Sequence, residues 1–310
     1  MSGDNQGASL LRPGIFIPFV LTAVIWGSTW LVIKDQLAPA PATWSVAWRF
    51  ILATAAMFGV AAWSARKSGE SLRLGPRDQA LAVLIGFTQF CLNYNLIYVA
   101  EEYVTSGIVA VIFTLLLVPN ALLARALFGQ PISAAFLAGS AIAIIGVAML
   151  LAHEARLADL SGMVWYGVGL CFAALFVVSF SNVLQSGGRA KQLPLYTLTA
   201  WSMFWGMAAN IVIALAADGI PELPESPRYW AGLAYLALAG TVLTFPLYFK
   251  LLREMGAGRA AYNGVLIPIV AMALSTAFEG YDWSALAIGG SVLGLIGMMV
   301  ALKGRQKSRG

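Results

Sequence analysis

The chain reads as an all-α integral membrane protein of ten transmembrane helices in two inverted five-helix repeats, with both termini cytoplasmic. Three observations predict it. Hydrophobic residues make up 60% of the 310 and charged ones 11%, against about 45–50% and about 25% in soluble domains, so the surface is built for lipid. Long apolar runs recur between short polar connectors. Residues 136–150, FLAGSAIAIIGVAML, return 151 positions later as AIGGSVLGLIGMMVA at 287–301, which sets Gly139 on Gly290, Ser140 on Ser291 and Gly146 on Gly297.

A spanning helix needs about 20 apolar residues to cross about 30 Å of hydrocarbon. Such runs fall at 15–33, 43–63, 79–99, 104–124, 132–151, 162–184, 195–217, 229–250, 258–278 and 284–302. They are far longer than the ~10-residue alternating strands of an outer-membrane barrel. Residues 1–14 are polar, and no small-residue cleavage pattern follows the run Ile15 to Ile33, so the first span is expected to be permanent and not a signal peptide. The connector Ser64 to Asp78 is too short and polar for a domain, and Asp218 to Arg228, with Pro221, Pro224 and Pro227, is expected to be a stiff extended strap.

Pro119 in the fourth span and Pro268 in the ninth hold nearly matching places. Each removes a backbone hydrogen bond, as a static kink or as a hinge beside a substrate path. In the fifth and tenth spans, Gly139-x3-Ala143 matches Gly290-x3-Gly294 and predicts close helix approach, within the bundle or at a homodimer surface. The repeats divide at 1–155 and 156–310, in a loop with His153, Glu154 and Asp159. Five spans per half make the second half cross in the opposite sense, the arrangement of an inverted-repeat transporter.

Orientation follows from charge. The N-terminus, the even-numbered loops and the C-terminus hold 15 of the 19 Lys and Arg, and the odd-numbered loops only Lys34, Arg156 and Arg228. The positive-inside rule then turns both termini to the cytoplasm. The basic residues lie in six short segments without a groove-sized cluster, which argues against a nucleic-acid partner.

Catalytic and metal chemistry find little material. The single histidine, His153, falls in an outer loop, and Glu101, Glu102, Glu279 and Asp35 fall at predicted outer ends. No catalytic residue, metal site or cofactor is expected, and no phosphate-binding Gly-x4-Gly-Lys pattern appears. Without a carboxylate at membrane depth a proton relay is disfavoured, so facilitated movement down a gradient is the simpler expectation. Cys91 and Cys171 lie within spans as small packing residues.

Polar and aromatic side chains at depth are more informative. Trp26, Ser28 and Thr29 lie on the first span, and Gln89, Asn93, Tyr94, Asn95 and Tyr98 on the third. Phe176, Ser179, Asn182, Trp201, Trp205, Phe245, Tyr248, Tyr262 and Asn263 follow in the second half. Amides and hydroxyls in hydrocarbon need partners, so these residues face the bundle interior, as interhelical glue or as the wall of a substrate path. An uncharged aromatic path suits small zwitterions or neutral metabolites with an apolar side chain. Trp26, Gln89, Asn93, Tyr94, Tyr248 and Asn263 are expected to line it. Arg49, a turn and a half into the second span, is either paired structurally or in contact with a substrate carboxylate. Lys34 reads as an interface anchor, and Trp44, Trp48, Trp63, Trp230 and Trp283 as an interfacial belt.

WGSTWLVIK at 26–34, WRF at 48–50, Leu236-x3-Gly240-Thr241, and Gly256-Ala257-x-Arg259-Ala260 with Pro268 together resemble the drug/metabolite transporter superfamily. The Gly-x6-Gly of each half, 139 with 146 and 290 with 297, resembles its duplicated EamA-type module, and the likeness runs from about 15 to 302. Among its branches the chain looks most like the YddG-type amino acid exporters. The resemblance implies a secondary transporter in a bacterial inner membrane that exports amino acids, aromatic or neutral, or similar small metabolites by alternating access. Export of a drug or nucleotide sugar, or a channel-like facilitator, is the alternative. The superfamily often carries Gly-Glu where this chain has Gly129-Gln130 and Gly280-Tyr281, so no role of that Glu carries over. The expected partners are a small-molecule substrate and the bilayer, with monomer and homodimer both open.

Overall fold

The structure is a computed structural model, and its described residues are 13–129, 131–157, 162–248, 263–281 and 283–307. Among them there is no strand. Seven helices are long and apolar enough to cross a membrane: Gly14–Gln36, Ala42–Ser68, Pro76–Ala100, Ser106–Phe128, Met163–Gln185, Leu195–Asp218 and Pro227–Tyr248. Three further apolar stretches, Ala134–Met149, Leu266–Phe278 and Ala285–Ala301, are shorter over the described residues.

In chain order the rods are α1 (Pro13–Gln36), α2 (Ala42–Ser68), α3 (Pro76–Ala100), α4 (Ser106–Phe128) and α5 (Ala134–Leu157). The second half gives α6 (Gly162–Gln185), α7 (Leu195–Asp218), α8 (Pro227–Tyr248), α9 (Asn263–Phe278) and α10 (Ala285–Lys307). Local chemistry sets several ends. Pro76 and Pro227 open α3 and α8, where a missing N–H costs nothing, so the proline-rich strap ends at Ser226. Gly69 and Gly129 close α2 and α4 in the left-handed region, at φ 72 and φ 64.

Three rods depart from regular α geometry. In α4 a 3₁₀ turn, Phe113–Leu116, lies just ahead of Pro119, which has no N–H for the Leu115 carbonyl. Both α3 and α8 carry π-helical segments, Gly86–Leu92 and Tyr235–Leu243. The repeat offset of 151 sends the first of these onto 237–243, inside the second. The duplication thus preserved a wide turn in the third helix of each half, a device frequent at functional sites.

Helix contacts come in matching pairs. α1 packs on α9 as α6 packs on α4, and α2 packs on α8 as α7 packs on α3. α2 also faces α7, and α5 runs along α10 in the most extensive contact of the bundle. There a Cβ on Gly146 would lie 2.3 Å from Gly294 N, and one on Gly297 would lie 2.2 Å from Ala143 N. The small-residue stripe of the two halves is therefore consumed by backbone-on-backbone packing inside the chain, not by a homodimer surface.

Hydrogen bonds tie each end of the bundle. At one end Gln36 Nε2 donates to Tyr229 O at 2.9 Å, and Arg228 Nε meets Asp35 Oδ2 at 2.8 Å. At the opposite end Arg189 Nε meets Asp78 Oδ1 at 2.7 Å, and Trp201 Nε1 donates to Leu72 O at 2.9 Å. We refer to these as the Lys34 end and the Asp78 end. Trp44, Trp48 and Trp230, expected in an interfacial belt, pack on one another at the Lys34 end. Trp48 sits 5.6, 6.0 and 5.3 Å from the rings of Trp44, Tyr229 and Trp230, in a cluster knitting α2 to α8 at the Lys34 end. Trp63, 60% exposed with Lys67 Nζ 3.9 Å from its ring centroid, and Trp283 do face outward. So does Phe176, expected at depth in the interior but 57% exposed.

Candidate functional site

The third helix supplies Phe90, Tyr94 and Tyr98, four residues apart and therefore on one face. Against it α2 brings Arg49 and Phe50, α8 brings Thr241, Phe245 and Tyr248, and α1 brings Trp26. The rings make one continuous row. Trp26 lies 5.0 Å from Tyr248 and 5.7 Å from Phe245, and Phe245 lies 5.3 Å from Phe90. Phe90 is 5.5 Å from Phe50, and Phe50 is 4.9 Å from Tyr94. The pairs are tilted or edge-on, the arrangements that ring quadrupoles favour.

Arg49 closes the row. Only 1% exposed, it sits with its guanidinium carbon 4.5 Å from the Tyr94 ring centroid. Nη1 donates to Tyr98 Oη at 3.3 Å, and Nη2 and Nε donate to Thr241 Oγ1 at 3.1 and 3.4 Å. Thr241 sends its own hydroxyl proton to Leu236 O at 2.9 Å, five residues back, which leaves its lone pairs to the arginine. That reach lies within the π segment of α8. Gly240 makes room beside it, since a Cβ there would stand 2.9 Å from Thr29 Cγ2 and 3.5 Å from Arg49 Nη2.

Charge is left over. Ion pairs among the described residues join Arg189 to Asp78 and Arg228 to Asp35, and none involves Arg49. Arg49 is therefore held by neutral hydroxyls and a ring face, with no ion pair among the described residues.

The other expected path residues divide. Trp26 Nε1 donates to Gly240 O at 3.2 Å, Thr29 Oγ1 to Trp26 O at 2.7 Å, and Ser28 Oγ meets Tyr235 Oη at 2.7 Å. These knit α1 to α8 around the aromatic row. On α3, Gln89 Oε1 accepts from Gln185 Nε2 at 3.4 Å, whereas Asn93 Oδ1, and Ser179 Oγ on the facing α6, are buried with no partner among the described residues. Asn95 joins α3 to α7, its Nδ2 donating to Asn210 Oδ1 at 2.8 Å. Trp205 lies apart from the row and donates to Gln79 Oε1 at 2.9 Å toward the Asp78 end. Pro119 and Pro268 are both buried within α4 and α9. Tyr262 and the Asn263 side chain fall outside the described residues, as does the His153 side chain.

Two charged residues depart from expectation. Lys34 turns inward, its Nζ donating to Glu101 O and, at 3.4 Å, to Val104 O. Glu101 lies at the helix end where it was expected but is 0% exposed, and neither carboxylate oxygen has a hydrogen-bond partner among the described residues. Phe50, Phe90 and Thr241 were not singled out from the sequence for the path. Among these, Phe90 shares a four-residue spacing with Tyr94 and Tyr98, a signal in the sequence that points to it.

An all-helical, multi-pass bundle with a duplicated wide turn and a polar knot at its centre has the build of a membrane transporter. The EamA-like transporter family matches the chain twice, at residues 14–152 and 165–303, and the chain belongs to that family within the drug/metabolite transporter superfamily. The protein PagO of Salmonella typhimurium is 25% identical over 94% of each chain. A probable amino-acid metabolite efflux pump of the same organism is 26% identical over 92% of this chain and 93% of its own. The uncharacterized inner membrane transporter YedA of Escherichia coli K12 is 27% identical over 86% of this chain and 84% of its own. A solved crystal structure shares the fold with a TM-score of 0.69, at 16% identity, covering 94% of this chain and 97% of the other.

Proposed function

We propose that this protein is a secondary transporter of a bacterial inner membrane that exports amino acids, aromatic or neutral, or similar small metabolites bearing a carboxylate, by alternating access. The observation that carries this reading is the buried Arg49 guanidinium, without an ion pair among the described residues, set at the head of the aromatic row. A substrate carboxylate supplies the missing charge, and an apolar side chain lies against Tyr94, Phe245, Trp26 and Tyr248. The efflux-pump name of one relative agrees with this chemistry.

On this reading all ten rods cross the bilayer as two inverted repeats, 1–155 and 156–310. The basic residues put the Asp78 end in the cytoplasm and the Lys34 end outside. The matched contacts of the two halves support such an exchange, and Pro119 and Pro268 are the places where α4 and α9 bend.

Purified protein in liposomes, loaded with an unlabelled amino acid and offered labelled phenylalanine, leucine, glutamate and lysine, tests the reading. Saturable counterflow of the neutral species is expected, with loss on Arg49→Met. Flux that does not saturate indicates a channel, and undiminished counterflow in the Arg49→Met variant removes the carboxylate contact.

A further inference from the structure

Glu101 ends α3 inside the protein, with no exposed surface and no hydrogen bond to either carboxylate oxygen among the described residues. The groups around it come from several elements. Lys34 on α1 spends its ammonium protons on the backbone carbonyls of Glu101 and Val104 and makes no ion pair with the carboxylate. Glu279, beyond α9, is occupied with Ser106, whose Oγ donates to Glu279 Oε2 at 2.5 Å. Arg49 on α2 and Tyr98 on α3 are bonded to one another, and Cys171 on α6 is buried and free. An ionised carboxylate without water or hydrogen bonds is expensive to hold in such surroundings, and the group is stable there as the neutral acid.

The same region ties the helices together at the Lys34 end. Lys34 fastens α1 to the turn between α3 and α4, Gln36 and Asp35 fasten it to the start of α8, and Ser106 with Glu279 fastens α4 to α9. Lys34 already stands near the carboxylate, and opening this end admits water to Glu101. Hydration favours the carboxylate.

We infer that Glu101 is a proton-binding site whose protonation is linked to closure of the Lys34 end, so that acid on that side holds the transporter shut. Linkage is reciprocal: closing takes up a proton, and raising the pH favours opening. The proton comes from and returns to the Lys34 side, which makes this a pH gate and leaves the direction of transport to the substrate gradient. The inference rests on alternating access as proposed above.

A cysteine at Val104, 5% exposed beside Glu101, reports the opening. Val104→Cys is placed in a Cys91→Ala, Cys171→Ala background, with Glu101 and with Glu101→Gln, and labelled in right-side-out vesicles by a membrane-impermeant thiol reagent. The ratio of the two backgrounds removes the thiol's own pH dependence. It is expected to approach about one in acid, to rise by at most about tenfold per pH unit as the carboxyl ionises, and to level off once the open form predominates. A ratio that stays flat between about pH 5 and about pH 8, or faster labelling in the Glu101→Gln background, overturns the inference. Absence of labelling in both backgrounds at every pH overturns alternating access itself and the inference with it. Should the Glu101→Gln variant not reach the membrane, exchange by the wild type decides: loss of rate on acidifying only the Lys34 side supports the gate, and an unchanged rate overturns it.

Discussion

The guanidinium of Arg49 lies 4.5 Å from the ring centroid of Tyr94 and bonds to hydroxyls from α3 and α8, and it forms no ion pair among the described residues. On the proposed reading, this cation receives the substrate carboxylate. Lysine at this position keeps the charge but loses the planar fork and much of the ring contact. Arg49→Lys is expected to lose about 2 kcal/mol of substrate binding, roughly 30-fold, read as a rise in the KM of counterflow.

Thr241 positions that fork. Valine has the same shape without the oxygen, and Thr241→Val leaves two guanidinium donors unmet at 3.1 and 3.4 Å. A hydrogen bond to a charged group contributes about 1.5–3 kcal/mol, so thermal unfolding in detergent is expected to shift down by a corresponding amount. Thr241→Ser restores the oxygen and is expected to recover both stability and transport.

Where α5 meets α10 there is no room for side chains. Adding one at Gly146, whose Cβ would lie 2.3 Å from Gly294 N, forces two backbones apart. Gly146→Leu is expected to cost at least the roughly 1–3 kcal/mol of ordinary overpacking. The check is the yield of folded protein by fluorescence-detected chromatography, which falls without any change in oligomeric state.

Trp26 joins α1 to the aromatic row through both its ring and its indole N–H, at 5.0 Å from Tyr248 and 3.2 Å from Gly240 O. Trp26→Phe keeps an aromatic ring, though a smaller one, and loses the bond to the π segment, whereas Trp26→Ala loses both. Transport is expected to fall in the order wild type, Trp26→Phe, Trp26→Ala, by about 0.5–1.5 kcal/mol for the N–H and more for the ring. Substrate titration of the labelled amino acid measures it, and equal activity of all three removes Trp26 from the path.

Hydropathy and repetition made the class of this protein legible in one dimension. Apolar run length is a local property, so the helices, the duplication and the small-residue stripe could all be read before any contact was known. Which way each side chain faces could not, because facing depends on how every helix is rotated against its neighbours. Extrapolation at 3.6 residues per turn also loses phase across the π segments of α3 and α8, where Tyr94, Tyr98, Phe245 and Tyr248 follow a wide turn. Packing alone therefore decided that Trp205 stands apart from the row, that Trp44 is buried and that Phe176 is exposed. It also brought Arg49 to Thr241, 192 positions along the chain, and sealed Glu101 from water at a helix end that composition marks as polar surface. Those meetings are set by the fit of apolar faces around them, a property no single stretch of the sequence contains.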